Sequence, residues 1–231
     1  MSEITPAEWT AILLSLRVAV IATLVATPFG IALAWLLART HFWGKSVLDA
    51  LVHLPLVLPP VVTGYLLLLS FGKRGLIGAW LADNLGIVFA FRWTGAALAC
   101  GIMAFPLLVR PIRLSIEAVD RRLEQAASTL GAAPWKVFAT VTLPLALPGI
   151  LAGMVLGFAK AIGEFGATIT FVSNIPGETQ TISSAIYSLI QTPDGDAAAM
   201  RLVLVSIVIA MAALIGSEWF ARRATRRLHG N

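Results

Sequence analysis

Cysteine and charge are both scarce in this chain of 231 residues. Cys100 is the one cysteine, which excludes a disulfide framework within the chain and any metal site built on spaced cysteines. Charged residues make up 13% of the chain, against 58% hydrophobic residues and a mean hydropathy of +0.86. A water-soluble protein cannot cover so much apolar surface with so little charge. Because the apolar runs are long and continuous, we predict an all-α polytopic membrane protein.

Motifs of enzyme chemistry are absent from the sequence as well. There is no Walker A pattern for ATP, no GxSxG, no HExxH, and no cluster of cysteine and histidine. His41, His53 and His229 lie far apart, and each is interpreted as an interfacial side chain. We therefore expect no catalytic residue, no metal and no cofactor in this chain. The net charge of +5 does not indicate nucleic acid, because the basic residues cluster at the ends of apolar runs.

Five apolar runs are interpreted as membrane spans, each of which needs roughly 20 residues. The first run is retained as a span, because the N-terminus lacks the basic region of a signal peptide. With no linker and no internal repeat, residues 1–231 are predicted to form one transmembrane domain. The predicted spans cover about residues 11–37, 47–71, 94–109, 145–172 and 202–220.

Lysine and arginine set the predicted orientation of these spans, since both favour the cytoplasmic side. The segments after the first, third and fifth spans are rich in these residues, which places the N-terminus outside and the C-terminus in the cytoplasm. The outer loop at residues 72–93 is an exception, because it carries Lys73, Arg74 and Arg92.

The segment of residues 117–144, between the third and fourth spans, is called here the coupling segment. It carries helix signals although it lies on the water side. Gly131 suits the end of a first short helix, and Pro134 suits the first turn of a second. Trp135 and Phe138 are predicted to form an exposed aromatic pair that a soluble partner would cover. The alternative is a pair of interfacial helices, but such helices favour a basic polar face over small residues.

These residues resemble the "EAA" loop of the membrane subunits of bacterial ATP-binding-cassette importers. Aligned on Gly131, the family's glutamate falls on Gln125, and Glu124 comes one residue early. The resemblance implies that the segment docks on a cytosolic ATPase. The residues it assigns to ATPase coupling are Gln125, Ala126, Ala127, Gly131, Trp135, Phe138, Leu143 and Pro144, the last two closing the segment and starting the fourth span.

Prolines and charges inside the spans are the candidates for a translocation pathway. Pro59 and Pro60 distort the second span, as either a kinked packing helix or part of a pore lining. Lys160 and Glu164 lie four residues apart in the fourth span and either satisfy each other or line the mouth of a route. Phe165 between glycines is a possible hydrophobic gate. The pathway candidates are Pro59, Pro60, Lys160, Gly163, Glu164, Phe165 and Gly166.

Over nearly its whole length the chain resembles the membrane subunit of molybdate importers, most specifically in the run GEFGATITFVSNIPGETQTI at residues 163–182. The resemblance implies the type I importer fold and a homodimer with a pore between the copies, in the bacterial inner membrane and its lipid. It also implies cytosolic ATPase subunits, which hold ATP and magnesium, and a periplasmic molybdate-binding protein.

Three alternatives stay open at this stage. The same architecture could import sulfate, thiosulfate or tungstate. A secondary transporter or channel would work without an ATPase, but it gives no reason for the coupling segment. A structural or assembly protein would leave the prolines of the second span and the charges of the fourth unexplained.

Overall fold

The structure, a computed structural model, describes residues 4–228, and for residues 217–228 it describes the backbone alone. No strand occurs within these residues, which confirms the predicted all-α fold. The α-helices are α1 (Pro6–Arg39), α2 (Lys45–Val57), α3 (Pro60–Phe71), α4 (Leu76–Leu85), α5 (Trp93–Glu117), α6 (Arg121–Thr129), α7 (Pro134–Val137), α8 (Leu143–Leu145), α9 (Leu147–Ile162), α10 (Gly166–Val172), α11 (Ile182–Leu189) and α12 (Asp196–Leu228).

Three helices in the described part of the chain are each long and apolar enough to cross a membrane: Pro6–Arg39, Trp93–Glu117 and Asp196–Gly216. Two bent pairs of helices meet the same criteria together, which is compatible with five spans. The basic segment predicted after the fifth span begins at Arg222, and its side chains lie outside the described part of the structure. His229 lies outside the described residues as well.

The predicted second span is not one helix. The chain breaks between α2 and α3, and the two helix axes differ by 114°. Leu58 is extended, as a residue before proline usually is, and Pro60 begins α3 at the position where a missing N–H has no cost. The predicted fourth span is also interrupted, because α9 ends at Ile162 and α10 begins at Gly166.

The helix that contains the predicted third span continues beyond it. The span was predicted to end at Val109, before Arg110 and Arg113, and α5 continues to Glu117. The guanidinium of Arg113 lies 2.8 Å from the carboxylate of Glu117, one turn further, and 3.0 Å from that of Asp49 on α2. Because these charges pair with each other, they do not end the helix.

The core lies where α5 packs between α1 and α9. Small side chains allow these helices to approach closely. Gly149, Gly153 and Gly157, spaced by four residues, form a small-residue face of α9 that lies against α5. A Cβ atom at Gly153 would stand 2.5 Å from the carbonyl oxygen of Leu108, so no larger residue fits this packing.

The contact between α3 and α10 yields a stability prediction for Gly64. A Cβ atom there would lie 2.5 Å from the carbonyl oxygen of Ala167 and 2.9 Å from its Cα. Because backbone atoms cannot rotate away from a clash as a side chain can, Gly64→Ala should lower the free energy of unfolding by about 1–3 kcal/mol. Thermal unfolding of the purified protein in detergent measures the loss. Gly101→Ala is the matched control, because its Cβ would meet nothing closer than 3.6 Å, and equal midpoints for the two variants would contradict the prediction.

Candidate functional site

The first half of the coupling segment is a short helix with both ends fixed. Asp120 caps α6 by accepting a hydrogen bond of 2.9 Å from the backbone N–H of Arg122. At the other end Gly131 has φ of +84°, and its N–H donates to the carbonyl of Ser128. The N–H of the next residue donates to the carbonyl of Ala127 at 3.2 Å. These two bonds form a Schellman motif, which confirms the helix end predicted at Gly131.

The second half of the segment is longer than predicted. Pro134 begins α7 as expected, but the helix then passes through a π-helical turn, Phe138–Thr142, into α8. Leu143 and Pro144 therefore lie inside this helical stretch. The chain bends by 68° beyond Leu145, and α9 follows from Leu147.

Three large apolar side chains of the segment are exposed to solvent. Leu130 is 89% exposed, Trp135 68% and Leu123 50%. Gln125 and Ala126 are also exposed, whereas Ala127 is half-buried. Exposed apolar groups on an ordered backbone are typical of a docking surface. The contact with an ATPase subunit stays a prediction for these residues.

The predicted exposed aromatic pair is wrong for Phe138. Its ring packs against Trp35 of α1 in an edge-to-face arrangement, with 5.9 Å between the ring centroids. Phe138 thus attaches the segment to the membrane helices, and Trp135 alone of the two faces outward. The π-helical turn shifts the register of the helix, and nothing in the sequence revealed it.

Glu124, one residue before the position that the alignment gives to the family's glutamate, links the coupling segment to α1. Its Oε1 accepts a 3.0 Å hydrogen bond from Arg39 Nη2, at the end of α1, and a 2.6 Å bond from the hydroxyl of Thr142. Arg39 Nη2 also donates to the carbonyl of Val119 at 3.1 Å. We call Arg39, Glu124 and Thr142 the Glu124 cluster. The carboxylate one residue before the family's position therefore points inward, while Gln125 points to solvent.

The pathway candidates of the fourth span surround the break between α9 and α10. Lys160 Nζ lies 2.7 Å from Glu164 Oε2, so the two charges do satisfy each other. The other carboxylate oxygen accepts the backbone N–H of Ala167 at 3.0 Å, which caps the first turn of α10. The Glu164 side chain is 1% exposed, whereas that of Lys160 is 28% exposed. The ring of Phe165 packs against that of Tyr187 of α11 in a tilted arrangement, with 4.9 Å between the ring centroids.

The two broken spans meet at their breaks. A Cβ atom at Gly166 would lie 2.7 Å from Cβ of Pro60, so the start of α10 touches the start of α3. Pro59 and Pro60 are exposed on the outer surface of the single chain. The structure thus brings six of the seven predicted pathway residues into two neighbouring breaks, and Lys160 joins them through its ion pair. Their role in translocation remains a prediction.

No group of three or more histidine, cysteine, aspartate or glutamate residues that could hold a metal occurs among the described residues.

Sequence comparison places this chain among known membrane proteins. It matches the family described as "Binding-protein-dependent transport system inner membrane component" over residues 26–226. It is 62% identical over 224 residues to the Molybdenum transport system permease protein ModB of Escherichia coli (strain K12), covering 97% of this chain and 98% of that protein. Identity to ModB of Haemophilus influenzae is 57% over 96% of each chain. Identity to the Sulfate transport system permease protein CysT of Escherichia coli is 36%, over 85% of this chain and 70% of that protein.

Structural comparison finds the same architecture in more distant proteins. A crystal structure of a bacterial ABC transporter involved in the import of the acidic polysaccharide alginate aligns with a TM-score of 0.74 at 19% identity, over 95% of this chain and 80% of that chain. A second alginate transporter structure, in complex with an alginate pentasaccharide-bound periplasmic protein, aligns with a TM-score of 0.70 at 19% identity, over 98% of this chain and 81% of that chain. At such identity the likeness shows the fold alone.

Proposed function

The chain belongs to the family of binding-protein-dependent transport system inner membrane components, and we propose that it is the pore-forming permease subunit of an ATP-driven molybdate importer. We infer the cargo from the 62% identity to a molybdenum permease over nearly the full length of both chains. The sulfate permease is less similar and aligns over a smaller share of its own length. We therefore place molybdate ahead of sulfate, thiosulfate and tungstate.

Energy for transport comes in this proposal from a separate subunit. The sequence contains no Walker A pattern, so ATP and magnesium belong to a cytosolic ATPase. The exposed side chains of Leu130 and Trp135 form the surface on which it docks. This assigns the coupling segment to the cytoplasm, which places the N-terminus in the periplasm and the C-terminus in the cytoplasm. An ATPase-independent secondary transporter would leave that surface without a function.

A second copy of the chain is the partner that the broken spans require. Unpaired backbone groups at membrane depth are tolerated where protein covers them or where they line a water-filled cavity. The break at Pro59 and Pro60 is exposed in the single chain, and so are apolar side chains beside it, such as Val57 at 81%. A homodimer with a pore between the copies would provide both the cover and the water.

The outer face offers a polar surface for a periplasmic binding protein. Lys73 and Arg92 are two of the three basic residues that depart from the cytoplasmic preference of lysine and arginine. Together with Glu178 they line one cavity of about 670 Å³. Charges of both signs around such a cavity suit a soluble protein partner better than lipid. We propose that a periplasmic molybdate-binding protein docks here.

Uptake by reconstituted complexes tests the proposal. The dimer, the ATPase subunit and the binding protein are placed in liposomes, and internal molybdenum is measured with molybdate alone or with excess tungstate or sulfate. We expect uptake that needs ATP and the binding protein, and that sulfate does not suppress. Suppression by sulfate would indicate that sulfate is the cargo. Equal uptake by the dimer without the ATPase subunit would overturn the proposed mechanism.

A further inference from the structure

The coupling segment has two covalent links to the membrane helices. Its chain continues from α5 at one end and into α9 at the other. Helix α1 has no nearby covalent link, because Arg39 and Glu124 are 85 residues apart in the sequence. A force applied to the segment would therefore reach α5 and α9 through the backbone, but α1 only through side chains.

The Glu124 cluster provides that side-chain link. One carboxylate oxygen holds the guanidinium of Arg39 and the hydroxyl of Thr142, so the end of α1, α6 and the π-helical turn share a single acceptor. The side chains of Arg39 and Glu124 are 10% and 18% exposed, which shields their charges from solvent. Charge-assisted hydrogen bonds in such surroundings are shorter and stronger than neutral ones.

The position of the cluster ties the docking surface to the helical core. Trp135, which faces outward, lies between Glu124 and Thr142 in sequence, and Phe138 packs on Trp35 of α1 beside the cluster. Helix α1 in turn packs along both α5 and α9. The cluster thus closes a ring of contacts from the docking surface to each of the three central helices.

We propose that Glu124 is a positioning residue for coupling: its carboxylate makes α1 follow the coupling segment when the ATPase moves it. This inference rests on the proposed function, since it assigns a mechanical role within ATP-driven transport. It also assigns a role within the chain to Glu124, the carboxylate that lies one residue before the glutamate position of the "EAA" loop. The exposed Gln125, which occupies that position, has no such role. Without the carboxylate, the segment should still bind the ATPase but should move α1 poorly.

Glu124→Gln tests the inference in the reconstituted complex. We expect the ATPase subunit to bind normally and to hydrolyse ATP, while the number of molybdate ions imported per ATP falls about tenfold, the factor expected when a charged hydrogen bond becomes a neutral one. Thr142→Val removes the hydroxyl at nearly constant volume and should lower the same ratio less. Thr142→Ser keeps the hydroxyl and should restore it.

Asp49→Asn is the matched control, because it removes another carboxylate that pairs with an arginine between helices, 3.0 Å from Arg113, outside the coupling segment. It should leave the ratio of uptake to hydrolysis unchanged. If Glu124 had a merely structural role, Glu124→Gln would lower uptake and hydrolysis in proportion, and that result would overturn the inference.

A distance measurement separates this inference from the proposed cargo. Spin labels at Ala32→Cys on α1 and Arg122→Cys on α6 use two exposed positions, and the buried Cys100 stays unlabelled. With the ATPase bound, we expect one narrow distance that nucleotide does not change, and a broader, nucleotide-dependent distribution in Glu124→Gln. Identical distributions would overturn the inference whatever anion is carried. Absence of molybdate uptake by the unmodified complex, with the expected distances, would overturn the cargo alone.

Discussion

Trp135→Asp is expected to abolish capture of the ATPase subunit by this permease. The indole is 68% exposed on a segment whose backbone is fixed at both ends of α6, so it has the properties of an interface anchor. Loss of such a tryptophan costs about 2–4 kcal/mol of binding, which weakens association about thirtyfold or more. Co-purification of the tagged permease with its ATPase subunit measures the loss.

The choice of variant and control follows from the structure. Phe138→Asp is a poor test of docking, because Phe138 packs against Trp35 and its loss would also detach the segment from α1. Trp80→Asp is the matched control, since Trp80 is a similarly exposed tryptophan on α4, which the proposed topology places on the periplasmic side. Full capture of the ATPase by the Trp135 variant would contradict the proposed position of the docking surface.

Lys160→Met should destabilise the protein more than Glu164→Gln does. Removing lysine leaves the carboxylate of Glu164, which is 1% exposed, without its countercharge. Breaking a buried pair in this way costs about 3–5 kcal/mol. Removing the carboxylate instead leaves an ammonium that is partly exposed to water, and the amide of glutamine can still accept the N–H of Ala167. Thermal unfolding of the two purified variants in detergent gives the order.

The double variant, Lys160→Met with Glu164→Gln, should recover most of the lost stability, since no unpaired charge remains. It then tests the pathway separately from folding: a stable double variant with normal uptake would contradict a role for these charges in translocation. The solvent-exposed pair of Arg113 and Glu117 is the control, and Glu117→Gln should cost less than about 1 kcal/mol. A lysine variant as stable as the unmodified protein would contradict the predicted order.

Much of this fold was accessible from local sequence signals. The all-α class follows from the apolar runs, and the end of α6 follows from Gly131, because glycine adopts its positive φ without strain. The small-residue face of α9 was visible as glycines spaced by four. Such features depend on a few neighbouring residues, so the sequence displays them directly.

Features that depend on distant partners could not be predicted. The continuation of α5 to Glu117, beyond the predicted span, depends on Asp49 and Glu117, which pair with Arg113. Phe138 was expected to be exposed because Trp35, which covers it, lies about a hundred residues earlier in the chain. Likewise the contact between Arg39 and Glu124 joins residues 85 positions apart and has no signature in either segment.

The Schellman turn at Gly131 has a consequence for how subunits recognise one another. Because internal hydrogen bonds already fix the backbone of the segment at this turn, association need not spend the conformational entropy that ordering a flexible loop would cost. The same rigidity prevents the segment from changing its conformation to fit a surface of different shape. In the proposed complex, recognition between this permease and its ATPase subunit would then depend on complementary shape, and an ATPase subunit of different shape would be excluded sterically.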